Sequence, residues 1–153
     1  MNTTYKLVKE FKKKYPWTVT WWRLKKHAAL LEKYLHPKEQ VIYAFAGQND
    51  NDPNSFFNTA VIAITNERLI VAQDRLIVGY DVSFVTPDLY NDLTVNAGLL
   101  WGTITIDTVK EVIYVSKLSN RALPEIQEKV STFMMEAKKR YPRKNQEEKK
   151  NSL

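Results

Sequence analysis

The segments NTAVIAITNERLIVAQDRLIVGY (residues 58–80) and NAGLLWGTITID (96–107) decide how this chain folds. In the first, dense β-branched runs break at Thr65, Asn66 and Glu67 and again near Asp74; asparagine tolerates the left-handed backbone of a tight hairpin. The two-residue period predicts strands over 57–65, 68–73 and 76–84. The second segment predicts strands over 93–100 and 103–108, turning at Trp101 and Gly102, with Gly98 and Gly102 serving a bulge and a turn.

Working outward, VIYAFAG (41–47) reads as the first strand, with Val41, Tyr43 and Phe45 on one face and Ile42, Ala44 and Ala46 on the other. QNDNDPNSF (48–56) is a polar loop, TPDLYND (86–92) an interruption containing one helical turn, and 111–116 the seventh strand. Short connections make the first four strands an antiparallel meander. Before them, residues 3–15 form an amphipathic helix through Leu7, Val8, Phe11 and Tyr15, stopped by Pro16. Thr20 caps a second helix with the apolar series Trp21, Leu24, Ala28, Leu31 and Leu35, ending before Pro37. After the strands, Ser119 or Asn120 caps a final helix with a stripe of Leu123, Ile126, Val130, Phe133 and Ala137. Residues 140–153 lack periodicity and read as a disordered charged tail. The division is a helical extension (1–37), a mainly β domain of the α+β class (38–139) and the tail.

With 153 residues and 44% hydrophobic content, the chain suits one domain with its own core. The absence of cysteine excludes disulfides, thiolate metal sites and cysteine nucleophiles. No window approaches the roughly 18 apolar residues of a spanning helix, and no apolar run follows the N-terminal lysines, so a cytoplasmic location is expected. The net charge of +6 is uneven: residues 1–40 hold 10 basic and 3 acidic residues, 41–118 hold 4 and 9, and 119–153 hold 9 and 5. An anionic partner would meet the ends of the chain.

Four strands, three strands and an amphipathic helix are the plan of a pleckstrin-homology-like (PH-like) barrel plugged by its helix. AITNERLIVA (63–72) resembles the "LTNKRLIF" hairpin of bacterial PH-like domains, and NAGLLWGTITI (96–106) resembles their "KKGLLxGxITI" segment. The match is to the group called YokE-like and covers residues 38–139. It implies a seven-stranded antiparallel barrel, motifs without catalytic residues, and the ring assembly known among bacterial PH-like domains. DTVKE (107–111) replaces the family's glycine-containing turn, which implies a longer or bulged connection, and VTPDLYNDLTV (85–95) matches the family's "IPYDDITSV" only in outline.

Phosphoinositide-binding PH domains place cations in the loop after strand one, whereas this loop carries Asp50 and Asp52 and no basic residue. No inositol phosphate is expected there. His27 and His36 lie nine positions apart without cysteine nearby, so they read as surface or helix-end residues and no metal site is expected. No GxSxG turn places a nucleophile, and the 4 glycines form no phosphate loop; neither a catalytic residue nor a cofactor is expected. The candidate interaction surface is Trp17, Trp21, Trp22, Arg23, Lys25 and Lys26, mixing aromatic and basic side chains.

These features suggest a non-enzymatic module acting through protein contacts, including self-assembly into a homo-oligomer, because an exposed apolar stripe has to be covered. The alternative is a peripheral protein that meets an anionic membrane through the Trp- and Lys-rich helices. Nucleic-acid binding through the basic arms stands third, since the strands carry no aromatic-basic platform.

Overall fold

The computed structural model describes residues 3–20, 23–49, 58–74 and 79–151, with 141–151 given by backbone course alone. Seven strands, β1 (Val41–Gln48), β2 (Thr59–Thr65), β3 (Leu69–Asp74), β4 (Tyr80–Val85), β5 (Tyr90–Ala97), β6 (Gly102–Thr108) and β7 (Val112–Leu118), form one sheet in the order β4-β3-β2-β1-β7-β6-β5. Neighbouring strands are antiparallel throughout, and Gln48 of β1 opposite Ser116 of β7 joins the two lobes. Helices α1 (Thr3–Lys14) and α2 (Leu24–Glu32) precede the sheet; a short 3-10 turn, Asn120–Ala122, leads into α3 (Leu123–Asn151). This is the fold the resemblance implied.

The sheet is covered on two sides. Phe45, Ile62, Ile64, Leu69 and Val71 of one lobe meet Ile104, Ile106, Val115 and Leu118 of the other, and Ile126, Val130 and Met134 of α3 close that core. On the opposite face of β1–β3, Val8 and Leu31 pack against Ala44, Ala46, Val61, Ala63, Ile70 and Ala72. Alanine on the strands lets the helices approach closely, as close-packed interiors require. Every residue of β2 is buried, because helices lie on one side of it and the inner core on the other. The apolar stripe of α1 and α2 is therefore covered by the chain's own sheet.

Several boundaries differ from expectation for identifiable reasons. A register shift between Val41 and Tyr43 moves Val41 to the helix-covered face, leaving Tyr43 and Phe45 inward. Strand β5 begins at Tyr90 and ends at Ala97, so part of the expected interruption is strand and the last three residues of the expected strand are turn. Thr20 does not cap α2: Arg23 stands at the N-cap without a side-chain capping bond. Residues 18–19 are instead held against β7, where Val19 N–H donates to Lys117 O (2.9 Å) and Thr18 Oγ1 accepts from Ser119 N–H (2.9 Å). Glu32 reaches back to α1, accepting Thr4 N–H and hydroxyl at 3.0 and 2.7 Å, which places a carboxylate at a helix start.

His27 is buried on the covered side of α2 and not at the surface, whereas His36, in the connection between α2 and β1, is exposed as expected. The turn after β6 is short, with Thr108 N–H donating to Glu111 O at 3.0 Å. Helix α3 runs to Asn151 and so takes in most of the stretch expected as a charged tail; Lys, Glu and Gln are good helix formers without any apolar stripe. The expected starts of β2 at 57 and β4 at 76, and most of the loop after β1, lie outside the described residues.

Candidate functional site

The β5–β6 hairpin carries the most unusual surface. Its tip, Gly98 to Trp101, projects two adjacent leucines, Leu99 at 99% and Leu100 at 56% relative exposure. Gly98 N–H donates to the Trp101 carbonyl at 3.0 Å, and a Cβ at Gly98 would stand 2.4 Å from that same oxygen, so glycine permits this closure. Gly102, at a register shift between β6 and β7, takes the bulge role and Gly98 the turn.

The tip is pinned from two directions. Trp17 Nε1–H donates to the Leu100 carbonyl at 2.8 Å, and Trp101 Nε1–H donates to the Trp17 carbonyl at 3.1 Å. The two indoles stack with centroids 6.1 Å apart and planes 23° apart. From the 3-10 turn, Asn120 Nδ2–H donates to the Gly98 carbonyl at 2.8 Å. Trp17 is itself 60% exposed, so an apolar knob of Trp17, Leu99, Leu100 and Trp101 is held rigidly in solvent.

Of the residues singled out from sequence, Trp17 forms part of this knob. Trp21 and Trp22 lie outside the described residues, Arg23 is half-buried before α2, and Lys25 and Lys26 are exposed on α2. Sequence reasoning missed Leu99, Leu100, Trp101 and Asn120. The signal was present: LLW occupies a turn, where polar residues are the rule.

A second cluster gathers titratable groups. His36 Nδ1, Glu39 and Glu67 bring ligand atoms within 4.8 Å of one another, a grouping invisible at spacings 36, 39 and 67. It does not fit a metal ion, because Glu39 is already saturated. Its Oε1 accepts His36 N–H and Arg68 Nη2, and its Oε2 accepts the Thr65 hydroxyl and Arg68 Nε, all at 2.6–3.0 Å. Burial would raise the Glu39 pKa, but these donors, Arg68 foremost, hold it below the ordinary value. Arg68 also donates to Tyr34 O and stacks on Phe84 at 4.4 Å, while Glu67 Oε2 lies 2.7 Å from His36 Nδ1. The group is a clasp fixing the end of α2 to the β2–β3 hairpin.

A third set joins α1 to α3: Glu125 takes Lys14 and the Tyr43 hydroxyl (2.9 Å). Burial pushes the Glu125 carboxyl up, but Lys14 and Tyr43 bring it below its ordinary value. Burial, then Glu125, pushes the Tyr43 phenol up. A groove of about 390 Å³ between β1 and α3, lined by Ile42, Phe133, Glu128, Lys129, Glu136 and Arg140, mixes both charges around an apolar floor. Among the described residues, no helix is long and apolar enough to cross a membrane.

Residues 35–132 match the family model described as "Bacterial PH domain". Among solved structures, the chain is similar to a pleckstrin homology domain from Shewanella amazonensis SB2B at 16% identity, covering 72% of this chain and 96% of that one with a TM-score of 0.48. Among curated proteins no relative matches.

Proposed function

Since this chain belongs to the bacterial PH domain family, we propose that it is a non-catalytic binding module whose contact surface is the Trp17–Leu99–Leu100–Trp101 knob. The observation that carries this reading is Leu99, 99% exposed on a hairpin that hydrogen bonds keep from folding back. Exposing apolar side chains on a fixed support favours association, because burying each returns hydrophobic free energy while the backbone beneath is already ordered. The finer likeness to the YokE-like group, read from AITNERLIVA and NAGLLWGTITI, accompanies this proposal.

Self-assembly drew its motive from the stripe on the N-terminal helices, and that stripe lies against β1–β3. On this reading a homo-oligomer uses the knob. The polar loop after β1 is taken to bind no inositol phosphate, and nucleic acid stays the weakest partner class.

A photo-crosslinking residue placed at position 99 in the chain expressed in bacteria tests the reading. Discrete adducts at position 99, absent with the same residue at exposed Val109 at the far end of β6, are expected. Equal labelling at both positions would remove the knob as a specific surface.

A further inference from the structure

We propose that the Leu99–Leu100 tip inserts into the interface of an anionic lipid bilayer, a proposal that rests on reading the knob as the binding surface. Three observations favour a bilayer over a protein. Protein partners of standard size meet over about 800 Å² on each side. Here two leucines project from one turn with Trp17 beside them, a small shape suited to a yielding surface.

Hydrocarbon penalises unsatisfied backbone groups heavily. At this tip the Gly98 carbonyl is taken by Asn120, the Leu100 carbonyl by Trp17 and the Trp101 carbonyl by Gly98 N–H. Three carbonyls of the tip thus already have partners that they could not find among acyl chains. The indoles of Trp17 and Trp101 sit beneath the leucines with their N–H groups engaged, the amphipathic arrangement favoured at headgroup depth.

The third observation is charge. The segments that build the knob, 11–20, 96–103 and 117–123, contain Lys12, Lys13, Lys14, Lys117 and Arg121 and no Asp or Glu. Lys13 and Arg121 are exposed; Lys12 is committed to the Pro16 and Thr18 carbonyls, Lys14 to Glu125, and Lys117 is buried. Asp50 and Asp52 lie outside the described residues. Exposed Lys13 and Arg121, on segments that hold the apolar tip and carry no carboxylate, match an anionic headgroup layer over hydrocarbon.

The test uses the full chain with vesicles of phosphatidylcholine alone or containing about 30% phosphatidylserine, enough for a negative surface potential. The chain lacks cysteine, so Leu99→Cys and, as control, Val109→Cys can each carry one environment-sensitive fluorophore. Co-sedimentation with the anionic vesicles at low salt, a blue shift at position 99 and none at 109 are expected. Leu99→Ser with Leu100→Ser should weaken partition about tenfold or more. Lys13→Glu with Arg121→Glu should weaken it about tenfold, and so should high salt.

Absence of co-sedimentation at low salt overturns the proposal, as does vesicle binding that survives the double serine variant. Self-association in light scattering that the serine variant abolishes, without vesicle binding, would leave the knob as the binding surface and overturn the bilayer. Loss of adducts at position 99 in the crosslinking experiment would remove both. Circular dichroism of each variant reports folding.

Discussion

Replacing Arg68 by methionine should cost about 3 kcal/mol of stability, the low end for stranding one partner of a buried ion pair. The guanidinium supplies two of the four hydrogen bonds accepted by the Glu39 carboxylate, whose side chain has no exposure. Methionine preserves part of the packing on Phe84 while leaving the carboxylate with only His36 N–H and the Thr65 hydroxyl. Adding Glu39→Gln to the variant removes the stranded charge and should recover about 1–2 kcal/mol, the cost of a buried unsatisfied charge beyond that of a neutral amide.

The pH dependence has a definite sign. In the wild-type protein the Glu39 pKa lies below 4.5, so its contribution is present above that pH and is lost as pH falls through the folded value. Without Arg68 the burial penalty dominates and the folded pKa rises. The stability gap between the two proteins should therefore be widest near neutrality and narrow below the unfolded pKa. Urea unfolding followed by circular dichroism at neutral and acidic pH measures it. A cost under about 1 kcal/mol at neutral pH, or no recovery on adding Glu39→Gln, would refute the description of the cluster as an ion-pair clasp.

Three further expectations use the same assay. Leu31→Ala should cost about 2–5 kcal/mol, because the side chain is fully buried between α2 and the sheet. Gly98→Ala should destabilise by about 1–3 kcal/mol, since the new Cβ would meet a backbone oxygen at 2.4 Å, and it should alter tryptophan fluorescence as the tip shifts from Trp17. Leu99→Ser with Leu100→Ser should stay within about 0.5 kcal/mol of wild type, because exposed side chains contribute little to folding; a larger loss would mean that the tip has a structural task.

The strands were readable because β2 and β3 carry a dense β-branched pattern broken at Asn66, whose backbone N–H donates to Gln40 O and whose side chain accepts from Gln40 N–H. Helix α1 was equally readable, as the buried Val8 and Phe11 lie on the stripe expected of it. Three things were not. The cover over β2 is a tertiary fact, although the unbroken apolar run TAVIAIT hints at a strand buried on both faces. The start of α2 was misplaced because the Val19–Lys117 backbone bond and the Thr18 hydroxyl's bond to Ser119, about a hundred positions away, override a local capping preference. The clasp and the knob each assemble residues from distant segments, so periodicity within any one of them is silent about both.

The family match begins at residue 35, yet Val8, Phe11, Ala28 and Leu31 belong to the interior of the folded chain. The recognised family segment and the cooperative folding unit therefore have different borders. During synthesis the two N-terminal helices leave the ribosome before any strand they cover, and their apolar faces must wait for β1–β3 to arrive. A polypeptide cut at the family border would present a bare alanine-lined sheet to water, and its first failure would be aggregation through that face.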